Sequence, residues 1–135
     1  MKKLMILVIV AVMLVNFSLA AELSVQKLEQ KNLIITEMGN NATAVLEITN
    51  NENQADSFQI YSLVSVNIYP KGFFEIGSGN TLELPVILVP YPQVLRDHSG
   101  KDYIFEYQIK GQKTGFFKDN LVLRILGVKD AVKVE

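Results

Sequence analysis

The stretch Thr43–Ile60, TAVLEITNNENQADSFQI, decides the fold of this chain. Leu46 and Ile48 fall on one side of an extended strand, and Phe58 and Ile60 resume that side after a polar linker. A period of two residues is typical of a β-strand with one buried face. Because neither run can bury its apolar face alone, the rest of the chain must supply an opposing sheet.

The same period of two recurs later in the chain, along Thr81–Val89, Tyr103–Lys110 and Leu121–Ile125. Segments rich in Gly, Asn and Pro separate these runs, as turns do. No long amphipathic helix interrupts them, whereas an α/β fold would require several. The pattern therefore predicts an all-β protein, an antiparallel β-sandwich of about seven strands.

Three irregularities are expected within the strands, and one long connection is expected between two of them. The first strand, within Glu22–Thr36, is expected to break near its middle. The next has its apolar side at Phe58, Ile60, Val64, Val66 and Ile68, and its length predicts a bend or bulge near Ser62. Pro85 cannot donate to a ladder, so it lies at an edge, at a bulge, or where its nitrogen points outward. The polar segment Gln93–Asp102 is expected to be a crossover loop.

The N-terminus has the features of a signal peptide. Lys2 and Lys3 precede the apolar run Leu4–Val15, and Ser18–Ala20 ends in a small-x-small cleavage site. The apolar run is shorter than the roughly 20 residues of a membrane-spanning helix. We therefore expect a cleaved leader helix and export of the mature chain to the periplasm, the cell surface or the medium; an uncleaved signal anchor is the alternative. The predicted division is a signal peptide at 1–20, a sandwich domain at 21–127 and a short polar tail at 128–135.

Composition excludes several classes of function. The chain has 135 residues, a formal net charge of −1 and no cysteine. A near-neutral charge does not match the basic footprint of a nucleic-acid-binding protein. Without cysteine there is no disulfide and no site for an N-terminal lipid anchor. One domain of this length buries a sufficient core without a metal or another cofactor.

Residues that could carry catalysis are sparse. His98, the only histidine, adjoins Asp97, but no nucleophile motif accompanies the pair. The loop Asn50–Asp56 is rich in oxygen ligands but lacks the spacing of a calcium loop, so it is expected to be solvated. Four glutamates could meet across strands as a carboxylate pair, yet most alternate outward beside apolar residues; they are Glu47, Glu75, Glu83 and Glu106. We expect no enzyme, no cofactor and no metal site.

Two kinds of surface residue are candidates for function. Asn41 begins the sequon Asn41-Ala42-Thr43 in a predicted turn of an exported chain, which makes it a candidate glycosylation site. Tyr61, Tyr69 and Tyr91 are aromatic residues that suit contact with a protein or sugar, because tyrosine combines apolar area with a hydroxyl.

Several short motifs resemble those of prokaryotic extracellular Ig-like modules, such as the ones appended to alpha-galactosidases and cell-surface proteins. The residues that carry this resemblance lie between Thr43 and Ile125 and are Leu46, Ile48, Thr49, Asn50, Asp56, Phe58, Ile68, Pro70, Gly79, Asn80, Thr81, the alternating run Leu82–Leu88, Pro90, Gly100, Tyr103 and Phe105. The resemblance makes the expected fold an antiparallel immunoglobulin-like β-sandwich. The resemblance implies a non-catalytic spacer, an adhesion element or a carbohydrate-associated accessory. It supplies no site residues.

The sequence therefore predicts a secreted or cell-envelope module that acts by protein contact, in a structural, adhesive or scaffold role. One alternative is a carbohydrate- or ligand-binding accessory domain that uses the tyrosines. The other is an export chaperone-like sandwich with an exposed edge near Pro85–Val89, which would bind a client strand.

Overall fold

The computed structural model describes residues 22–129, which form two β-sheets and one short α-helix. A 3₁₀ turn, Thr36–Met38, follows the second strand, and the helix α1, Pro92–Asp97, follows the seventh. The strands in this part of the chain are β1 (Leu23–Lys31), β2 (Leu33–Ile35), β3 (Ala42–Asn50), β4 (Asp56–Ser62), β5 (Val66–Tyr69), β6 (Phe74–Ile76), β7 (Thr81–Pro90), β8 (Lys101–Gly111) and β9 (Phe116–Leu126).

The strands divide between a four-stranded and a five-stranded sheet. Sheet A has the order β1-β3-β7-β5, and sheet B has the order β2-β9-β8-β4-β6. Neighbouring strands are antiparallel except for β2, which runs parallel to β9. The prediction of an all-β protein is confirmed. Because β1 and β2 follow each other but lie in different sheets, the start of the domain links the two sheets.

One hydrophobic core is formed by side chains from both sheets. Along β3 every second residue is buried, and Leu46 and Ile48 are fully inaccessible, as their alternation predicted. The other large side chains that are fully buried are Leu23, Ile34, Phe58, Ile60, Leu88, Tyr107, Ile109, Leu121, Leu123 and Ile125. At about 2 kcal/mol for each large apolar side chain removed from water, this core is the main stabilising contribution to the fold.

The described residues contain nine strands rather than about seven because two predicted strands are each divided. The chain passes from β1 to β2 at Asn32 and changes sheets there. It also leaves sheet B after Ser62, close to the predicted bend, and enters sheet A at Val66. The expected inward position of Val64 was wrong: this residue is 45% exposed because β4 has already ended.

The crossover between β7 and β8 was also predicted incorrectly, because it contains helix α1 and not only a loop. Pro92 lies at the start of α1, where its missing N–H costs no helical hydrogen bond. Val94 is buried and joins the hydrophobic core. The apolar contacts of Val94 and the partly buried Leu95, together with a proline at the first turn, account for this short helix.

The structure resolves the three alternatives for Pro85. The Tyr91 N–H donates to the Ser65 carbonyl at 2.9 Å, so the odd-numbered residues of β7 turn their backbone groups toward β5. However, β5 ends at Tyr69, opposite Ile87. The nitrogen of Pro85 therefore faces a position beyond the end of β5, where the ladder requires no donor.

The predicted leader, 1–20, and most of the predicted tail lie outside the described residues, which end at position 129. Between positions 22 and 129, no helix has the length and apolar character needed to cross a membrane.

Candidate contact surfaces

An apolar patch lies on the outer face of sheet A, where the odd-numbered residues of β3 and β7 point away from the core. Cross-strand pairing places Val45 opposite Pro85, and Ile87 opposite Tyr69. Ile87 is 43% exposed and Tyr69 is 41% exposed. With the half-buried Val89, these residues form a continuous apolar area, hereafter the sheet A patch.

Charged residues border the sheet A patch at both ends. Glu47 lies directly opposite Glu83, so two carboxylates face each other across β3 and β7. At the other end, the Lys71 ammonium lies 5.2 Å from the centre of the Tyr69 ring and donates to Asn67 Oδ1 at 3.0 Å. Like charges that are directly opposite destabilise a sheet. The patch therefore combines apolar area with a local excess of negative charge.

The three candidate tyrosines lie on different elements of the fold. Tyr69 belongs to the sheet A patch, and Tyr91, 47% exposed, follows the end of β7. Tyr61 lies in β4 of sheet B, where its hydroxyl donates to Gln108 Oε1 at 2.9 Å. The aromatic residues of the sequence prediction thus lie on two different sheets.

The loop between β3 and β4 is solvated only in part: some of its side chains, such as Asn53, are exposed as predicted, whereas other polar side chains of this region turn inward. Asn50, Glu52 and Asp56 are all buried. Asn50 Nδ2 donates to the Ile76 carbonyl at 2.9 Å and to the Gln54 carbonyl at 3.0 Å, and Asn50 Oδ1 accepts the Glu52 N–H at 2.9 Å. Polar side chains turn inward here because they satisfy backbone groups that no sheet ladder reaches.

Glu52 and Asp56 attach the β8–β9 turn to this loop. The Thr114 hydroxyl donates to Glu52 Oε1, and the Lys113 N–H lies 3.2 Å from both Asp56 carboxylate oxygens. Glu52 Oε2 is buried and has no hydrogen-bond partner among the described residues. An open pocket of about 380 Å³ beside Glu52 is lined by Glu22, Asn51, Glu52, Asn53, Gln54 and Thr114. No motif indicated this network, because its members are far apart in the sequence.

The residues considered for catalysis are dispersed. The His98 ring packs against the Tyr103 ring, tilted by 47° with ring centres 4.5 Å apart. Glu47 and Glu83 face each other on an open sheet surface, whereas Glu106 lies in sheet B and binds Gln108 Nε2 at 3.0 Å. Among residues 22–129, no three acidic or histidine side chains come together as metal ligands would.

Asn41 is exposed at the turn that precedes β3. The neighbouring Asn40 side chain orders this turn: Oδ1 accepts the Ile35 N–H and Nδ2 donates to the Leu33 carbonyl, both at 2.9 Å. The Asn41 amide is therefore accessible from solvent in the folded domain.

Comparison with solved structures identifies proteins of similar fold. A FixG-related protein from Vibrio parahaemolyticus superposes with a TM-score of 0.61 at 15% identity, over 78% of this chain and 98% of that chain. A protein of unknown function from Porphyromonas gingivalis W83 has a TM-score of 0.48 at 20% identity, over 78% and 48% of the two chains. The periplasmic chaperone SfaE has a TM-score of 0.46 at 14% identity, over 76% and 56%. No protein-family model and no curated protein sequence matches the chain.

Proposed function

We propose that this protein is exported and acts as a non-catalytic, immunoglobulin-like β-sandwich that binds another protein through the sheet A patch. Sheet A repeats the A-B-E-D strand order of immunoglobulin domains, and β9-β8-β4 repeats their G-F-C order. This order and the motifs shared with prokaryotic Ig-like modules support the assignment to that class. The basic and apolar leader with its small-x-small site supports export.

The sheet A patch is the observation that carries this proposal. Ile87 and Pro85 are exposed on β7, an inner strand of sheet A, and Tyr69 is exposed beside Ile87 on the edge strand β5. A contiguous exposed apolar area that is rimmed by polar residues is typical of a protein–protein contact. The tyrosine and the paired Val45 and Pro85 supply a rigid surface, which loses little conformational entropy on binding.

The charges around the patch indicate the chemistry of the partner. Glu47 and Glu83 face each other, and no ion pair within residues 22–129 includes either of them. A Lys or Arg of the partner, placed between the two carboxylates, would relieve their repulsion. The expected partner surface therefore presents an apolar residue beside a basic one.

The test compares two apolar-to-charged substitutions on the full chain, expressed in the organism that encodes it. Ile87→Lys changes the centre of the patch, and Met38→Lys changes an apolar residue that is 67% exposed in the 3₁₀ turn. Envelope fractions are cross-linked, and the protein joined to the tagged chain is identified by mass spectrometry and quantified. Ile87→Lys is expected to lower its recovery at least tenfold, while Met38→Lys leaves it unchanged. Equal recovery with both variants would contradict the assignment of this surface.

Two measurements address export and glycosylation. The N-terminal residue of the protein recovered from the envelope or medium is expected to be Ala21, and recovery only from the cytoplasm would contradict export. In a host that glycosylates sequons, the mass of Asn41→Gln is expected to be lower than that of the wild-type chain by one glycan. Identical glycan content in the two chains would exclude Asn41 as the acceptor.

The structural observations favour this proposal over the alternatives. A sugar-binding platform made of all three tyrosines is not supported, since Tyr61 lies on a different sheet from Tyr69. The export-chaperone alternative relied on an exposed edge at Pro85–Val89, but β5 pairs with Ile87 and Val89. A glycosidase would hold its carboxylates around a bound sugar, whereas Glu47 and Glu83 lie on an open sheet face.

A further inference from the structure

Strand β8 has no partner along half of one edge. The pairing of β4 with β8 ends where Ser62 lies opposite Tyr107. The chain then crosses to the other sheet, because Val66 already pairs with Pro90 of β7. No described strand lies beside Asp102–Glu106 on the side where β4 has ended. The unpaired interval Asp102–Glu106 is hereafter called the β8 gap.

Hydrogen bonds at the far end of β8 show which backbone groups face the β8 gap. The Gly111 N–H donates to the Gly115 carbonyl on the β9 side, and the Gln112 N–H donates to the Ser57 carbonyl on the β4 side. Residues of an antiparallel strand alternate between their two neighbours, so even-numbered residues of β8 face the β4 side. Asp102, Ile104 and Glu106 therefore turn their N–H and C=O groups toward the gap.

Several of the other unpaired sheet edges carry features that oppose strand addition. Strand β7 also has an uncovered interval, Thr81–Val86, but Pro85 removes the N–H that would face an added strand. Strand β1 has a bulge between Lys27 and Glu29 and carries charged residues. Strands β2 and β6 contain three residues each. The backbone groups that face the β8 gap belong to residues other than proline.

Apolar side chains surround the β8 gap. Ile104 is 64% exposed on β8, and Leu63 and Val64, which directly follow the end of β4, are 71% and 45% exposed. Exposed apolar residues beside unpaired backbone groups are the two elements of a strand-addition site. An added strand would cover Ile104 while its main chain extends the sheet.

The charges beside Ile104 indicate what the added strand contains. Asp102 and Glu106 flank Ile104 on the same exposed face of β8. Neither carboxylate belongs to an ion pair formed within residues 22–129. A partner strand placed opposite them is favoured when Lys or Arg occupies the positions two residues before and after an apolar residue.

We propose that the β8 gap binds an extended peptide segment of another protein, with an apolar residue opposite Ile104 and basic residues opposite Asp102 and Glu106. The segment adds a sixth strand to part of sheet B. This site is separate from the sheet A patch and does not depend on the function assigned to that patch.

The experiment uses a synthetic probe and the full chain without its leader. The probe is acetyl-Ser-Lys-Val-Val-Val-Lys-Ser-amide, and its controls are the same peptide with Glu in place of both Lys and the same peptide with N-methylated backbone amides. Amide hydrogen exchange is measured by NMR with and without each peptide. The lysine peptide is expected to slow exchange at Asp102, Ile104 and Glu106, and to leave Tyr103 and Phe105, which already bond to β9, unchanged.

The controls separate backbone pairing from charge attraction. The N-methylated peptide is expected to lose binding, and the glutamate peptide is expected to bind about tenfold more weakly. Asp102→Asn with Glu106→Gln removes the preference between the two charged peptides. Ile104→Pro removes an N–H that faces the gap but keeps the β8–β9 ladder, so it is expected to lower the affinity for the lysine peptide at least tenfold. Ile104→Thr keeps this N–H and is expected to lower the same affinity less.

The proposal is overturned if the three amides are already protected in the free protein, since the gap would then be covered. It is also overturned if the lysine peptide leaves their exchange unchanged, or if the N-methylated peptide binds as well as the unmodified one. These results do not depend on whether Ile104→Pro folds.

Discussion

Replacement of Asn50 is expected to be among the most damaging single changes outside the apolar core. The side chain is fully buried and makes three hydrogen bonds: it donates to the Ile76 and Gln54 carbonyls and accepts the Glu52 N–H. In Asn50→Ala the buried carbonyl of Ile76 and the buried N–H of Glu52 lose their partners. Each unsatisfied buried group costs about 1–3 kcal/mol, so the free energy of unfolding is expected to fall by about 2–6 kcal/mol.

Asn50→Asp tests whether the stability depends on the hydrogen bonds that the Asn50 side chain donates or only on the space that it fills. The carboxylate has nearly the same volume and still accepts from Glu52, but it places negative charge against the carbonyls of Ile76 and Gln54 in place of two donors. At pH 7 we expect at least as large a loss of stability as in Asn50→Ala. The loss should shrink as the pH falls, because a protonated carboxyl is again a donor.

Urea unfolding followed by circular dichroism at several pH values provides the measurement, with midpoints converted to free energies by linear extrapolation. Asn53→Asp, in the same loop but exposed, is the matched control and is expected to change stability by less than about 0.5 kcal/mol. If Asn50→Ala were as mild as Asn53→Asp, the buried network would not hold the loop. If Asn50→Asp retained wild-type stability at neutral pH, the two donated bonds would not be present.

Three further changes have defined outcomes. The Tyr107 hydroxyl is buried without a described partner, so Tyr107→Phe is expected to be neutral or up to about 1 kcal/mol more stable in urea; a loss above 1 kcal/mol would show that the hydroxyl is bonded. Burial, with a smaller contribution from Asp119, raises the pKa of Tyr107, because the folded protein disfavours the charged phenolate. The stability of the wild-type protein is therefore expected to be unaffected by Tyr107 below about pH 10 and to fall at higher pH, where the tyrosine of the unfolded chain ionises. In thermal unfolding from pH 8 to 12, Tyr107→Phe should lack this fall. Pro85→Ala should cost only about 0.4–1 kcal/mol in urea because the nitrogen of Pro85 faces no strand, and a loss above 2 kcal/mol would contradict that placement. A methyl group on Gly115 would lie 2.6 Å from Phe58 Cε1, so Gly115→Ala should lower the free energy of unfolding in urea by about 1–3 kcal/mol. An unchanged free energy of unfolding would show that the turn relaxes freely.

The two-residue period was sufficient to predict the strands and most of the core. Leu46, Ile48, Phe58, Ile60 and the alternating residues of β8 and β9 are buried as their spacing indicated. This succeeds because a strand with one buried face has side chains that alternate regardless of which strand lies beside it. The same periodicity failed at Val64, where the strand ends and a neighbouring turn decides the exposure of the side chain.

The sequence predicted the candidate surfaces only in part. Tyr69 and Tyr91 were selected as exposed aromatic residues, and both are exposed, but their separation from Tyr61 depends on which sheet each strand joins. The sequence showed that Pro85 lacks a donor and left open which side of its strand was uncovered. That answer requires the pairing of β5 with β7, which ends at Tyr69 and Ile87.

By itself, the sequence determined that this chain forms β-strands, which side chains most of them bury, and that its first residues have the pattern of a leader. Only the tertiary structure decided the sheet order, the inward turn of Asn50, Glu52 and Asp56, and the unpaired edge at Asp102–Glu106. The physical reason is that the alternation of buried and exposed side chains depends only on the sequence of the strand itself. Pairing partners, the point at which a neighbouring strand ends, and hydrogen bonds between distant loops depend on residues that are brought together only when the two sheets form.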